Sequence, residues 1–212
     1  MDPKPTAKTL LEALDYKYGK KHAIIRELTA EDIIVSNRSN AYYRDKYPHM
    51  IDYWAKKGID PDSFGSSDGY IPGQEVPYRR IDALMVGAKD KAGVHQRTAV
   101  EIKVSRADFR RDTLEKVRTW QSLSHRFIYL VPANLIKPEE LLDPAMGLWW
   151  WHAGDENSPG TIEIVKTAKT NLNASECLPE ELQTRLMWRL AVAEQKVRQD
   201  PKIRRKARRR RR

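Results

Sequence analysis

Three ionisable residues set in two apolar stretches have the types and spacing to do chemistry. Asp82 lies in R-R-I-D-A-L-M-V-G (79–87), and Glu101 and Lys103 lie in T-A-V-E-I-K-V-S-R-A-D-F-R-R-D (98–112). In a strand over 99–104, alternate side chains take opposite faces, so Glu101 and Lys103 share one face while Val100, Ile102 and Val104 take the other. A polar segment, 88–97, joins the stretches. Read as neighbouring strands, they bring Asp82 within side-chain reach of Glu101. Two carboxylates at that range repel unless a proton or a divalent cation offsets them. Hard oxygen donors suit Mg²⁺ or Mn²⁺, with Lys103 beside the ion. The competing reading is a salt-bridged patch of Asp82, Glu101 and Lys103 on an exposed sheet face.

The elements that must position these groups are legible from pattern. Ser105 fits a helix N-cap with Asp108 three residues on, so the second strand is expected to run straight into a helix carrying Phe109, Leu114, Val117 and Trp120. Upstream, 6–18 reads as an amphipathic helix with Leu10, Leu11, Leu14 and Tyr18 at helical spacing, ended by Gly19. Segment 22–28 fits a strand or a second helix. Downstream, 127–131 is an apolar strand ended by Pro132, and 135–142 is a short helix started by Pro138. A further strand spans 147–151, where Trp149, Trp150 and Trp151 must alternate faces, so at least one indole points away from the core. Segment 161–165 alternates as a half-buried strand, and 178–197 reads as a long helix with Leu182, Leu186, Leu190, Ala193 and Val197 on one stripe.

The chain has 212 residues, enough for one main domain with a full core. Its net charge is +10, but nine Lys and Arg fall within 202–212, and removing those nine leaves +1 for the rest. A run that dense must be solvated or paired with a polyanion, and it could equally serve as an address or assembly tag. The single cysteine, Cys177, excludes an internal disulfide framework and a cysteine-based zinc site. No apolar run approaches the length of a membrane span and no secretory segment opens the chain, so a soluble, cytoplasmic protein is expected. From 36 to 77 the composition turns polar and aromatic, with Tyr42, Tyr43, Tyr47, Tyr53 and Trp54, over more residues than an ordinary connection holds.

Taken in order, R-R-I-D-A-L, E-I-K-V-S-R-A-D-F, S-H-R-F-I-Y-L-V-P and G-L-W-W resemble the PD-(D/E)xK nuclease superfamily, in particular its MmcB-like branch of bacteria and phages, over 79–151. The resemblance implies an α/β fold. It would be a restriction-endonuclease-like three-layer core over 1–200, a mixed central sheet flanked by helices, with 36–77 as an insertion and 201–212 as a disordered tail. It further implies a metal-dependent DNA nuclease of DNA repair, recombination or phage DNA metabolism, in a bacterial or phage-infected cell. Asp82, Glu101 and the Ile102 carbonyl would hold Mg²⁺ or Mn²⁺, and Lys103 would orient or deprotonate the attacking water. Glu27 is the positional candidate for a further acid of the site, or else a surface glutamate. Gln121 matches a glutamine that some branches use, although His125 replaces the tyrosine that accompanies it there; Ile81 replaces the proline before the first acid. Arg79, Arg80, Arg106, Arg110 and Arg111 near the site, and Arg204, Arg205, Lys206 and Arg208 of the tail, are the expected phosphate contacts. The 36–77 tyrosines, or an outward indole from the tryptophan run, could stack on bases, or simply pack this segment onto the core. Two other functions fit the same residues: a catalytically silent nucleic-acid-binding protein of this fold, and a small basic structural protein of a phage particle.

Overall fold

A computed structural model describes residues 5–31, 56, 78–89, 93–155, 158–174 and 178–199. Apart from Lys56, the expected insertion at 36–77 lies outside the described residues, as does the tail with Arg204, Arg205, Lys206 and Arg208. The chain divides into two units, 1–175 and 176–212.

The first unit opens with helix α1 (Ala7–Tyr18). Thr6 and Thr9 cap its start reciprocally, each side chain accepting the other's backbone N–H, which satisfies two donors that the first turn leaves open. Strand β1 (Ala23–Glu31) follows and settles the ambiguity at 22–28 in favour of a strand. Ile24, Ile25 and Thr29 are β-branched and stiff, which suits an extended backbone. Then come β2 (Tyr78–Lys89), β3 (His95–Ile102), the short helices α2 (Arg106–Phe109) and α3 (Leu114–Leu123), and β4 (Arg126–Pro132). After a 3₁₀ turn at Pro138–Glu140, where a short helix was expected, β5 (Gly147–His152) and β6 (Thr161–Lys166) complete the unit.

The six strands form one mixed sheet in sequence order, β1 to β6. The β3–β4 and β4–β5 pairs are parallel and the other three antiparallel. Central β4 is apolar along nearly its whole length because both its faces are covered. On one face Leu10 and Leu14 of α1 join Met85, Val100, Ile102, Leu130, Trp149 and Trp151 in a single apolar cluster. The opposite face carries Phe127 and Tyr129, with Phe109 of α2 packed edge-on against Tyr129 at 5.2 Å between ring centres. Helices therefore flank the sheet on both sides. Of the three adjacent indoles, Trp149 and Trp151 are buried, and Trp150, on the other face, is half-buried and donates to the Ile136 carbonyl at 3.2 Å.

The structure corrects one expectation that bears on the site: the helix after Ser105 is not continuous. Ser105 caps α2 as expected, accepting the Asp108 N–H, but the chain tightens at once through i→i−3 bonds from Arg111 to Asp108 and from Asp112 to Phe109. Thr113 then caps a second helix by accepting the Lys116 N–H. Leu114, expected on that helix with Phe109, Val117 and Trp120, is 42% exposed while the other three are buried.

The second unit contains helix α4 (Glu180–Gln199). Glu180 and Glu181 occupy its positive first turn, and Glu181 pairs with Arg185 one turn on. The expected stripe buries Leu182 and half-buries Leu186, while Leu190 is 69% exposed. Among the described residues, no helix is long and apolar enough to cross a membrane.

Candidate functional site

The β2–β3 register decides how close the carboxylates come. Leu84 faces Ala99 and Ala83 faces Val100, so the next step of the same ladder sets Asp82 opposite Glu101. Here the Asp82 side chain takes over a backbone role, its Oδ2 accepting the Ile102 N–H at 2.8 Å. Lys103 follows the strand, anchored by its own N–H on the Leu130 carbonyl at 3.2 Å. Period-2 alternation brings its ammonium to the Glu101 face, as expected.

Lys103 is only 6% exposed. An unpaired ammonium so deep would be strongly unfavourable, and two carboxylates compensate it. Nζ lies 2.9 Å from Glu101 Oε1 and 3.0 Å from Asp112 Oδ1. The other Asp112 oxygen accepts the Tyr129 hydroxyl at 3.0 Å. Asp112 is the residue that the sequence reading missed. It sits in the break between α2 and α3. The available signal was Asp112-Thr113 ahead of Leu114-Glu115, a hydroxyl cap followed by an acid in the first turn.

The protonation states follow from this packing. Burial, and next the Asp82 charge, push the Glu101 carboxyl up to about 7 against the opposing pull of Lys103. Asp82 is also raised, chiefly by burial, although the Ile102 N–H, Lys103 and Arg80 favour its charged form. For Lys103, burial alone would lower the pKa, but Glu101 and Asp112 outweigh it and the ammonium is held above its ordinary value. Burial and the Asp112 charge keep Tyr129 a phenol. With Glu101 ionised, three carboxylates surround one ammonium. Lys103 pairs with Glu101 and Asp112, and Asp82 is left with the Ile102 N–H and the more distant charges of Lys103 and Arg80.

A cleft of about 200 Å³ opens onto Glu101 and Asp112, between the β2 end bearing Arg79 and Arg80 and the α3 face bearing Lys116 and Trp120. The Trp120 indole closes its wall by donating to the Arg79 carbonyl at 2.9 Å. Arg79 and Arg80 line this cleft, Arg79 with its guanidinium 3.9 Å from Glu115. Arg106 and Arg111 have their guanidinium groups on Glu140 and Asp108 instead, and Arg110 is exposed.

Two further expectations meet the geometry differently. Glu27 lies between the paired positions Arg26↔Ala83 and Leu28↔Ile81, so the backbone sets it level with Asp82, in one row with Glu101. Yet it is exposed and has φ 49°, a left-handed kink uncommon for a non-glycine residue. Glu27 is therefore level with the site without being gathered into it. Gln121 is not in the cleft. Its side-chain amide donates to Asp143 Oδ2 at 3.1 Å, in a different cavity beyond α3. Among the described residues no three His, Cys, Asp or Glu side chains gather as a metal-holding group.

No family model and no curated protein matches the chain. A solved structure titled SPO1766 protein of unknown function, from Silicibacter pomeroyi, is similar at 23% identity over 63% of this chain and 77% of that one, with a TM-score of 0.37. A likeness that distant bears on neither fold nor function.

Proposed function

We propose that the protein is a metal-dependent nuclease of the PD-(D/E)xK kind, hydrolysing phosphodiester bonds in DNA, with a restriction-endonuclease-like core. The observation that carries this reading is the side-by-side placement of Asp82 and Glu101 on antiparallel neighbours, with buried Lys103 on the same face. The donor set fits a hard divalent cation: two carboxylates in mutual repulsion, and an Ile102 backbone directed at Asp82. In an extended strand the C=O of a residue projects to the same side as its N–H, so the Ile102 carbonyl shares that edge. Asp82, Glu101 and the Ile102 carbonyl would hold Mg²⁺ or Mn²⁺. The ion would supply charge for the phosphate and an acidified water.

The other parts fall to the chain itself. Lys103, protonated and clamped between Glu101 and Asp112, offers fixed positive charge and a hydrogen-bond donor. Without an ion its proton is held more tightly than usual, and an ion beside it would pull the other way, so the lysine could orient or deprotonate the attacking water. Asp112 and Tyr129 fix the lysine's position. Arg79, Arg80 and Lys116 line the cleft as candidate contacts for the strand's phosphates.

A second reading has its own specific support. Glu101 is already ion-paired to Lys103, and no third acid closes round Asp82 among the described residues, which is what a catalytically silent nucleic-acid-binding relative would show. Cleavage separates the two. Full-length protein with Mg²⁺ or Mn²⁺ should cut at least one member of a panel of single-stranded, duplex and nicked DNAs, and Glu101→Gln should not. Binding without cutting by the parent, across the panel and both metals, would favour the silent reading.

A further inference from the structure

Across α3 from the cleft lies a second, larger cavity of about 450 Å³, the one that holds Gln121. Phe127 lines both. Its walls are held by bonds that cross between elements. The Asn171 N–H donates to the His125 carbonyl at 2.8 Å and its side-chain amide to the Gln121 carbonyl at 3.0 Å, while the Lys169 N–H donates to the Ala145 carbonyl at 2.9 Å. The 169–171 segment is thereby fastened across the end of α3 as a fixed rim.

The charge on that rim is lopsided. Arg118, Arg126 and Lys169 line it with all three side chains exposed, and among the described residues none is in a salt bridge. The lining contains one acid, Asp143, whose oxygens are already taken by the Gln121 amide and the Ala145 N–H. In the wall, Ser124 is 1% exposed, and its hydroxyl has no hydrogen-bond partner. A buried hydroxyl left unsatisfied is unfavourable, and a polar atom brought into the cavity could satisfy it.

We propose that this cavity binds a nucleotide unit, with its phosphate on Arg118, Arg126 and Lys169 and a polar atom of the ligand meeting the Ser124 hydroxyl. Three cations without carboxylate partners call for an anion, and the arginine fork matches the geometry of phosphate oxygens. The volume lies in the range of small-molecule sites and exceeds what a lone phosphate needs, and Phe127 and His125 supply flat side chains for a ring. The site stands independently of the nuclease reading, since it shares neither Asp82, Glu101 nor Lys103.

The test is calorimetry on the full chain without divalent metal, using thymidine monophosphate, thymidine and orthophosphate as probes, with amide NMR to locate binding. Thymidine monophosphate should bind, shifting the Ser124, His125 and Asn171 amide signals, and bind at least about tenfold more tightly than either other probe. Arg118→Ala with Lys169→Ala, at exposed positions that leave the core intact, should weaken it about tenfold or more, and Ser124→Ala by several-fold. Equal binding of orthophosphate would overturn the nucleotide assignment. Affinity unchanged in the double variant would place the binding elsewhere, for example on the arginine-rich tail, and would overturn the site.

Discussion

Lys103 Nζ lies 3.0 Å from Asp112 Oδ1, nine positions along the chain and beyond the whole of α2. Helix α2 stops after four residues and Asp112 lies in the break that follows, so a helix break is part of the site. Asp112→Ala should leave Lys103 with Glu101 alone and destabilise the protein by about 1–3 kcal/mol, and Tyr129→Phe, which removes only one donor to Asp112, by about 1 kcal/mol. Urea unfolding of both variants checks the order. Tyr129→Phe costing as much as Asp112→Ala would mean that Asp112 does not carry the lysine's charge.

Removing the charge at Asp82 should release part of the pressure on Glu101. Carboxyl NMR titration should find Glu101 near 7 in the parent and lower in Asp82→Asn, though still above its ordinary 4.5, because burial is the larger cause and remains. A Glu101 titration unmoved by Asp82→Asn would contradict the facing arrangement of the pair.

The same shift fixes a pH dependence of stability. The folded state holds the Glu101 proton up to about 7 while the unfolded chain loses it near 4.5, so between these values the native state binds more protons and stability falls as pH rises. Integrated over that window, the loss is about 3 kcal/mol at most. Asp82, also raised, works in the same direction from lower pH, and Lys103, raised from 10.5, keeps its contribution throughout this range and loses it only at alkaline pH. Glu101→Gln should therefore gain stability relative to the parent on going from pH 5 to pH 8, measured in metal-free buffer. A constant difference would argue against the shift.

Metal should reverse that trend. Mn²⁺ at a hundredfold excess over its Kd should stabilise the parent by about 2.7 kcal/mol, and should leave the melting temperature of Asp82→Asn nearly unchanged. DNA cleavage should stop with chelator, be poorly supported by Ca²⁺, and fall by about a hundredfold or more in either Asp82→Asn or Glu101→Gln. An equal thermal shift in the parent and in Asp82→Asn would place the ion elsewhere.

The three residues singled out first were legible because a strand's period of two is rigid: once 79–87 and 98–104 are paired, the face of every side chain follows. The row of β1, β2 and β3 even carries Glu27 to the level of Asp82, but its left-handed backbone, which no residue type announced, goes with a side chain that stays exposed. Asp112 was missed for one reason. Phe109, Leu114, Val117 and Trp120 fit a single helix well enough to hide the break before Thr113, and the break resets which residues of α3 face the cleft. Strand β1 was ambiguous because an edge strand buries fewer of its side chains than a central one, so its apolar pattern is weak.

Glu31 and Tyr78 are the last partners of the β1–β2 ladder. The 46 residues between them in sequence join two strand ends that pair at one rung, next to the Arg79 and Arg80 end of the cleft. Closing a long excursion at one point is only modestly worse than closing a tight hairpin, about 2 kcal/mol between four residues and this length. The length of that connection can therefore change at small cost in stability, while the row that aligns Glu27, Asp82 and Glu101 keeps its register.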